Sequence, residues 1–131
     1  MAAALKQRGV QPDLIVSSTA LRATTTAQLV SEGLDFSPED ILYSDALYLA
    51  SPQSILQVVQ ELDEGLDTVL FFGHNPGMHE LANHMASSDF IESFPTLAVA
   101  RLELVGEFWA EADARSAKLI EVITPRVIKQ G

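Results

Sequence analysis

The sequence predicts an α/β protein whose mostly parallel sheet is flanked by helices. Two short apolar runs, DLIVSS at 13–18 and TVLFFG at 68–73, are each followed by polar residues and then by a helical pattern. Such runs are typical of strands that are buried on both faces. Two further strand patterns, at 96–104 and 117–125, follow one another without a helix between them, which indicates antiparallel pairing. The length of 131 residues predicts a single domain, 1–131.

The first two helices are predicted from apolar spacing and from the glycines that end them. MAAALKQRG is expected to form a helix that ends at Gly9. TALRATTTAQLVSEG, at 19–33, places its alanines and Val30 along one face and ends at Gly33. The segment that follows is predicted to be mostly loop, with a short extended piece at 41–43.

The third helix is predicted over 51–65. Ser51 is a favourable N-cap, Pro52 suits the first helical position, and Gly65 marks the end. The apolar residues between them recur at helical spacing, so one face of this helix is expected to be buried.

Three elements complete the predicted order. A helix at 76–87 starts directly after the second buried strand. The segment 96–104 alternates apolar and polar residues in part, which predicts a half-exposed strand. The segment 117–125 predicts a last strand, closed by Pro125.

Composition and charge exclude several classes of function. Hydrophobic residues make up 47% of the chain, and there is no cysteine, which excludes disulfides and thiolate chemistry. A net charge of −10 argues against nucleic-acid binding and requires any anion site to be built from a few local positive groups. No segment resembles a signal peptide or a membrane span, so we expect no membrane partner and a cytoplasmic location.

The first candidate loop, SSTALRA, follows the strand at 13–18. Arg22 lies in the first turn of the next helix, where free N–H groups favour anions and a guanidinium suits phosphate. The simpler interpretation is that Ser18 or Thr19 caps the helix and Arg22 is solvated. A positive charge in the first turn is electrostatically disfavoured, however, which suggests an anionic partner.

The second candidate loop, GHNPG, follows the strand at 68–73. His74 could donate a hydrogen bond to a phosphate or act as an acid or base. The alternative is a buried histidine with a structural hydrogen bond. The other two histidines, His79 and His84, are five residues apart and do not share a helical face well, so no metal site and no cofactor are predicted.

The two loops are more informative together than apart. The carboxyl ends of parallel strands meet at one edge of a sheet, which is where α/β proteins bind ligands. We therefore expect Arg22 and His74 to converge there on a phosphate or carboxylate, with Ser17 nearby.

Two segments carry a resemblance to a known family. DLIVSSTALRATTTAQLV and VLFFGHNPGMHELANHM resemble the histidine phosphatase superfamily, and most closely its small SixA-type phosphohistidine phosphatases. The resemblance extends over nearly the whole chain, including ALYLASPQSILQVVQEL. It implies a three-layer, phosphoglycerate-mutase-like fold.

The resemblance also implies residue roles. In that family an arginine and a nucleophilic histidine on the first strand, a second arginine and a second histidine surround the phosphoryl group, which passes through a phosphohistidine intermediate. Arg22 matches the second arginine and His74 the second histidine. Further candidates, assigned by their positions, are the phosphate-binding residues Ser17 and Asn75 and the proton donors Asp45 and Glu80.

The chain departs from the family in one respect. No Arg-His-Gly or Arg-His-Ala motif occurs, and QRGV at 7–10 has no histidine. The expected explanation is that Met1 is internal to a longer reading frame or that the chain was shortened, so that the first strand and the nucleophile are absent. An interior strand, between the two motif-carrying strands or beside one of them, would then be missing. The incomplete sheet edge could pair with a second copy of the chain.

Three hypotheses for the function follow. The leading one is a phosphatase that acts on a phosphorylated protein or a small phosphate ester. The second is a non-catalytic module, derived from such a phosphatase, that binds phosphate or a partner. The third is a metal-dependent hydrolase that uses all three histidines, whose spacing does not suit it.

Overall fold

The computed structural model describes residues 1–48 and 50–124. The chain divides into two compact units, the first formed by Met1–Ala50 and Glu64–His74, the second by Ser51–Asp63 and Asn75–Gly131. The single domain expected over 1–131 stays a prediction.

The first unit alternates helices and strands. Its elements are α1 (Ala2–Gln7), β1 (Leu14–Ser18), α2 (Leu21–Gly33), β2 (Leu42–Ser44) and β3 (Val69–Phe72), with 3-10 turns at Pro38–Asp40 and Asp45–Leu47. Gly9 follows α1 with a φ of +72°, a conformation that glycine adopts without strain. Helix α2, predicted over 19–33, begins at Leu21, two residues later than expected, and ends at Gly33 as predicted.

The three strands form a parallel sheet in the order β2-β1-β3. Val16 lies opposite Leu42 on one side and Phe71 on the other. As the central strand, β1 is buried from Ile15 to Ser18, as predicted. The prediction that β3 is buried was wrong, because all four of its residues are half-exposed. Among the described residues β3 has a strand on one side only, and an outer strand is less covered than a central one.

A compact apolar core joins the sheet to α2. Ile15, Ala27 and Ile41 form its centre, and Phe36, Leu70 and Phe72 pack around them. The small side chains of Ala23 and Ala27 allow α2 to lie close to β1. This packing fixes where the loop between β1 and α2 lies.

The amino ends of β1 and β3 are joined by Asp13. Its carboxylate accepts hydrogen bonds from the N–H groups of Asp67 (2.9 Å) and Thr68 (3.0 Å). The Asp13 N–H donates to the Thr68 carbonyl at 2.7 Å. The two bonds from Thr68 and Asp67 lower the pKa of the Asp13 carboxyl below its ordinary value.

The pairing of β1 with β3 limits where a missing strand could lie. β1 pairs directly with β3 from Leu14 to Ser17, so there is no gap between the two motif-carrying strands. Of the two predicted places for a missing strand, only a place beside one of them remains. Pairing of that edge with a second chain stays a prediction.

The second unit contains two helices and an antiparallel strand pair. Its elements are α3 (Pro52–Gln60), α4 (Gly77–Met85), β4 (Val99–Leu104), β5 (Ala117–Ile123) and a 3-10 turn at Trp109–Glu111. α3 packs against α4, and the antiparallel pairing of β4 with β5 confirms the prediction. Pro125, predicted to close the last strand, lies outside the described residues.

Helix α3 begins as predicted but ends early. The Ser51 hydroxyl accepts a hydrogen bond from the Ser54 N–H, as expected of an N-cap. The prediction that the helix reaches Gly65 was wrong, since it ends at Gln60 and the Leu62 N–H turns back to the Val59 carbonyl. In the described part of the chain, no helix has the length and hydropathy required to cross a bilayer.

Candidate active site

Three loops start from the carboxyl edge of the parallel sheet. β1 ends at Ser18, β2 at Ser44 and β3 at Phe72, and their parallel register brings these ends to one edge. Arg22, Asp45 and His74 follow the three strands at a distance of one to four residues. This is the edge at which open α/β sheets bind ligands.

The centre of this edge is a hydrogen bond between Ser18 and His74. Ser18 Oγ lies 2.9 Å from His74 Nε2, and the Ser18 side chain is fully buried. The same hydroxyl accepts a hydrogen bond from the Ala20 N–H at 3.2 Å. α2 begins after Ala20 without a side-chain cap, so the alternative that Ser18 or Thr19 caps the helix is wrong.

A second contact fixes the ring of His74. The Tyr48 ring meets it edge-on, with centroids 5.8 Å apart and an interplanar angle of 73°. His74 is half-buried, and its Nδ1 makes no hydrogen bond to the described residues of the first unit. Within the described residues of the first unit, one ring nitrogen is therefore held and the other has no hydrogen-bond partner.

Arg22 lies in the first turn of α2 with its side chain exposed. Its guanidinium forms no hydrogen bond or ion pair with the described residues of the first unit. An unpaired guanidinium at this edge can bind an incoming anion in a bidentate manner. That Arg22 and His74 act on the same anion stays a prediction.

Ser17 occupies a different position from the one its predicted role suggests. Its side chain is fully buried, and its hydroxyl donates to the Ser18 carbonyl at 2.9 Å. Ser18, the next residue, is the serine that contacts His74.

Asp45, a candidate proton donor, follows β2 at the same edge. Its carboxylate is exposed and accepts a hydrogen bond from the Thr19 hydroxyl at 2.8 Å. This bond holds a negatively charged group against the loop that joins β1 to α2.

Asn75 and Glu80 belong to the second unit. The Asn75 amide donates to the Phe94 carbonyl at 2.8 Å and accepts from the His79 N–H at 3.2 Å. Glu80 lines a cavity of about 130 Å³ with four other residues, Pro52, Gln53, Leu56 and His84.

The remaining histidines have structural partners in the second unit. His79 Nε2 lies 2.6 Å from the Ile91 carbonyl oxygen, and His84 Nε2 lies 3.3 Å from an Asp113 carboxylate oxygen. Hydrogen bonds from the Ala114 N–H and from His84 lower the pKa of the Asp113 carboxyl. Within the part of the chain that the structure describes, no three His, Cys, Asp or Glu side chains come together as a metal site would require.

The sequence is similar to uncharacterised mycobacterial proteins. No protein-family model matches the sequence. An uncharacterised protein of Mycobacterium tuberculosis is 30% identical over 123 residues, covering 87% of this chain and 74% of that protein. A second uncharacterised protein, from Mycobacterium leprae, is 27% identical over 120 residues, covering 86% of this chain and 71% of that protein.

Among solved structures, a proposed phosphohistidine phosphatase SixA from Agrobacterium tumefaciens has a TM-score of 0.75 at 29% identity, covering 95% of this chain and 75% of that one. The protein histidine phosphatase SixA complexed with tungstate has a TM-score of 0.81 at 21% identity, covering 97% of this chain and 78% of that one. At that identity, the second likeness shows the fold alone.

The parallel sheet carries loops with an arginine and a histidine at its carboxyl edge, the edge at which α/β proteins bind ligands. The chain belongs to the histidine phosphatase superfamily, in its SixA-like branch. Its α/β fold is that of the SixA structures, as the sequence predicted.

Two contact residues were missed by the sequence analysis. Ser18 was considered only as a helix cap, although its place at the end of a buried strand gave it the same signal as Ser17. Tyr48 had no signal, because its contact with His74 depends on a loop that lies far away in the sequence.

Proposed function

We propose that this chain is the phosphoryl-binding part of a SixA-like phosphatase, which removes phosphoryl groups from phosphohistidine in proteins or from a small phosphate ester. Arg22 and His74 are the residues that bind the phosphoryl group. The observation that carries the proposal is the Ser18–His74 hydrogen bond, which holds a histidine at the shared end of β1 and β3 with one ring nitrogen available.

The chemistry of the two residues is complementary. Arg22 supplies a planar, permanently charged donor pair, and His74 supplies a single directed donor. Together they would stabilise the negative charge that develops on the phosphoryl oxygens during transfer. This local charge is needed because the chain as a whole carries a net charge of −10.

Nucleophilic attack is not assigned to these residues. The 131 residues contain no Arg-His-Gly motif, and the family's covalent intermediate forms on the histidine of that motif. The proposal therefore gives Arg22 and His74 the binding of the phosphoryl group and leaves the attack to a histidine that this sequence lacks.

Of the two candidate acids, we favour Asp45. It follows β2 at the same edge of the sheet as His74, and the Thr19 hydroxyl orients its carboxylate. Glu80 remains a candidate by sequence position alone. A phosphohistidine leaving group needs less protonation than an alkoxide, so for that substrate the acid would matter little.

The non-catalytic module is the second candidate, and the absence of the Arg-His-Gly motif favours it. The DNA upstream of the Met1 codon separates the two. A reading frame that continues upstream into a strand ending in Arg-His supports the phosphatase, and a stop codon directly upstream supports the module. The cytoplasmic location stays a prediction.

Titration with tungstate, an analogue of phosphate, tests the binding site. In NMR spectra of the chain we expect weak binding, on the order of millimolar, that shifts the ring signals of His74. Arg22→Ala and His74→Ala should each weaken binding about tenfold or more, because each removes a charge-assisted or directed donor.

The matched control is Arg115→Ala, which removes an exposed arginine of the second unit. It should change the tungstate affinity by less than about twofold, since the proposal assigns binding to Arg22 and His74 and not to the net charge of the chain. Tungstate binding that neither Arg22→Ala nor His74→Ala weakens would overturn the proposed function.

A further inference from the structure

We propose that Ser18 is a positioning residue that selects the tautomer of His74. Its hydroxyl donates to Nε2, so that Nδ1 carries the proton and presents it to the phosphoryl group. The inference rests on the proposed function in one respect, namely that an anion binds at His74.

The hydrogen-bonding capacity of Ser18 carries the argument. A serine hydroxyl has one proton to donate and two lone pairs that accept. The Ala20 N–H, which can only donate, takes one lone pair. Among the described residues of the first unit, His74 Nε2 is then the remaining partner within hydrogen-bond distance, at 2.9 Å.

The two tautomers of His74 differ in what they leave unsatisfied. If Nε2 carried the proton, Ser18 Oγ would accept from both neighbours, and its own buried proton would have no acceptor among these residues. If Nε2 is unprotonated, the hydroxyl proton is donated to it and every group is satisfied. Because buried polar groups are normally hydrogen-bonded, the second arrangement is favoured.

The surroundings hold this arrangement in place. Ser18 is fully buried at the end of the central strand, where it lies opposite Ser44 in β2. The Tyr48 ring packs edge-on against the imidazole and limits its rotation. The donor on Nδ1 is therefore oriented before an anion arrives, and no reorganisation is needed on binding.

The tautomer can be read directly in the unaltered chain. The sequence has three histidines, so uniform nitrogen-15 labelling and long-range proton–nitrogen correlation give three ring systems, which His74→Gln assigns. We expect neutral His74 to show a protonated Nδ1 and an unprotonated Nε2. A protonated Nε2 as the main form would overturn the inference, whatever the behaviour of any variant.

Substitution of Ser18 provides the second test. In Ser18→Ala we expect the Nε2-protonated form to gain population and the tungstate affinity to fall about fivefold, which corresponds to one ordinary hydrogen bond. Ser18→Thr keeps the hydroxyl and should restore the Nδ1-protonated form. The control is Ser31→Ala, which removes another fully buried serine hydroxyl, one that donates to the Gln28 carbonyl.

The outcomes separate this inference from the proposed function. If tungstate shifts no His74 signal, the proposed function fails, and the role of Nδ1 toward a phosphoryl group fails with it. If tungstate binds at His74 but Ser18→Ala leaves the tautomer unchanged, only the inference about Ser18 is overturned. If Ser31→Ala alters the tautomer as much as Ser18→Ala, the effect is one of general stability and the inference is equally overturned.

Discussion

The two ends of the β1–β3 strand pair are joined by side chains that use their hydrogen bonds differently. At the amino end, the Asp13 carboxylate binds two backbone N–H groups, those of Asp67 and Thr68. At the carboxyl end, the Ser18 hydroxyl binds a ring nitrogen of His74 and leaves the other nitrogen without a partner in the first unit.

The difference separates structural bonding from functional bonding. Backbone N–H groups require partners in any folded protein, so the bonds of Asp13 satisfy a structural need. The His74 ring could instead have been hydrated by water. Ser18 holds it through Nε2 and leaves Nδ1 without a partner in the first unit. A histidine held in this way at the carboxyl edge of a parallel sheet is suited to bind a ligand.

The largest expected effect is the loss of phosphatase activity in a chain that has the residues at the carboxyl edge of the sheet but no nucleophilic histidine. The 131-residue chain should hydrolyse phosphohistidine peptides and p-nitrophenyl phosphate no faster than its His74→Ala variant does. Donors can stabilise charge, but without the family's nucleophilic histidine they cannot form the covalent intermediate. Phosphate release measured on purified protein checks this. Robust turnover that His74→Ala abolishes would mean that another residue attacks the phosphorus.

The next expected effect concerns acid stability and belongs to the amino end. The Asp13 pKa is lowered in the folded chain from its ordinary value of 3.8, because the carboxylate accepts bonds from Thr68 and Asp67. The contribution of the Asp13 carboxylate to the stability of the fold is therefore fully present above pH 3.8, and it is lost as the pH falls through the lower pKa of the folded state. Asp13→Asn should be less stable than the parent at neutral pH and should lose less stability on acidification below pH 3.8.

Urea unfolding at a series of pH values measures this difference. Asp40→Asn is the control, since the Asp40 carboxylate is exposed and makes no hydrogen bond to the described residues of the first unit. It should show the same loss of stability in acid as the parent. An Asp13→Asn variant as acid-sensitive as the parent would show that the two backbone bonds contribute nothing measurable.

Much of the fold could be predicted because its signals are local. Apolar runs and glycine stops placed β1, α2 and β3 to within two residues at each end. The end of α3 was misjudged because Gly65 was treated as the stop, whereas the chain turns at Gln60 through a bond between Leu62 and Val59. A helix end is decided by such tertiary and turn contacts, which a periodic pattern does not encode.

The sheet edge that carries the two candidate loops could be predicted, but the contacts formed there could not. Parallel topology brought the loops of Arg22 and His74 to one edge, as expected. The sequence could not decide between Ser17 and Ser18, because a central strand is buried on both faces and lacks the alternation that would distinguish them. Asn75, His79 and Asn83 recur every four residues, the first just before α4 and the other two on it. Their bonds to Ile91 and Phe94 nevertheless depend on a loop with no regular structure.

The smallest expected effect compares the two adjacent serines. Ser17→Ala removes a buried hydroxyl that donates to the Ser18 carbonyl, so the free energy of unfolding should fall by about 1 kcal/mol. Because this hydroxyl contacts backbone, while that of Ser18 contacts His74, Ser17→Ala should weaken tungstate binding less than Ser18→Ala does. Urea unfolding and NMR titration of the two variants side by side measure both quantities. If Ser17→Ala weakened tungstate binding more, the phosphate-binding role expected for Ser17 from the sequence would be favoured over the assignment to Ser18. The distinction between structural and functional bonding would then not hold within a single pair of residues.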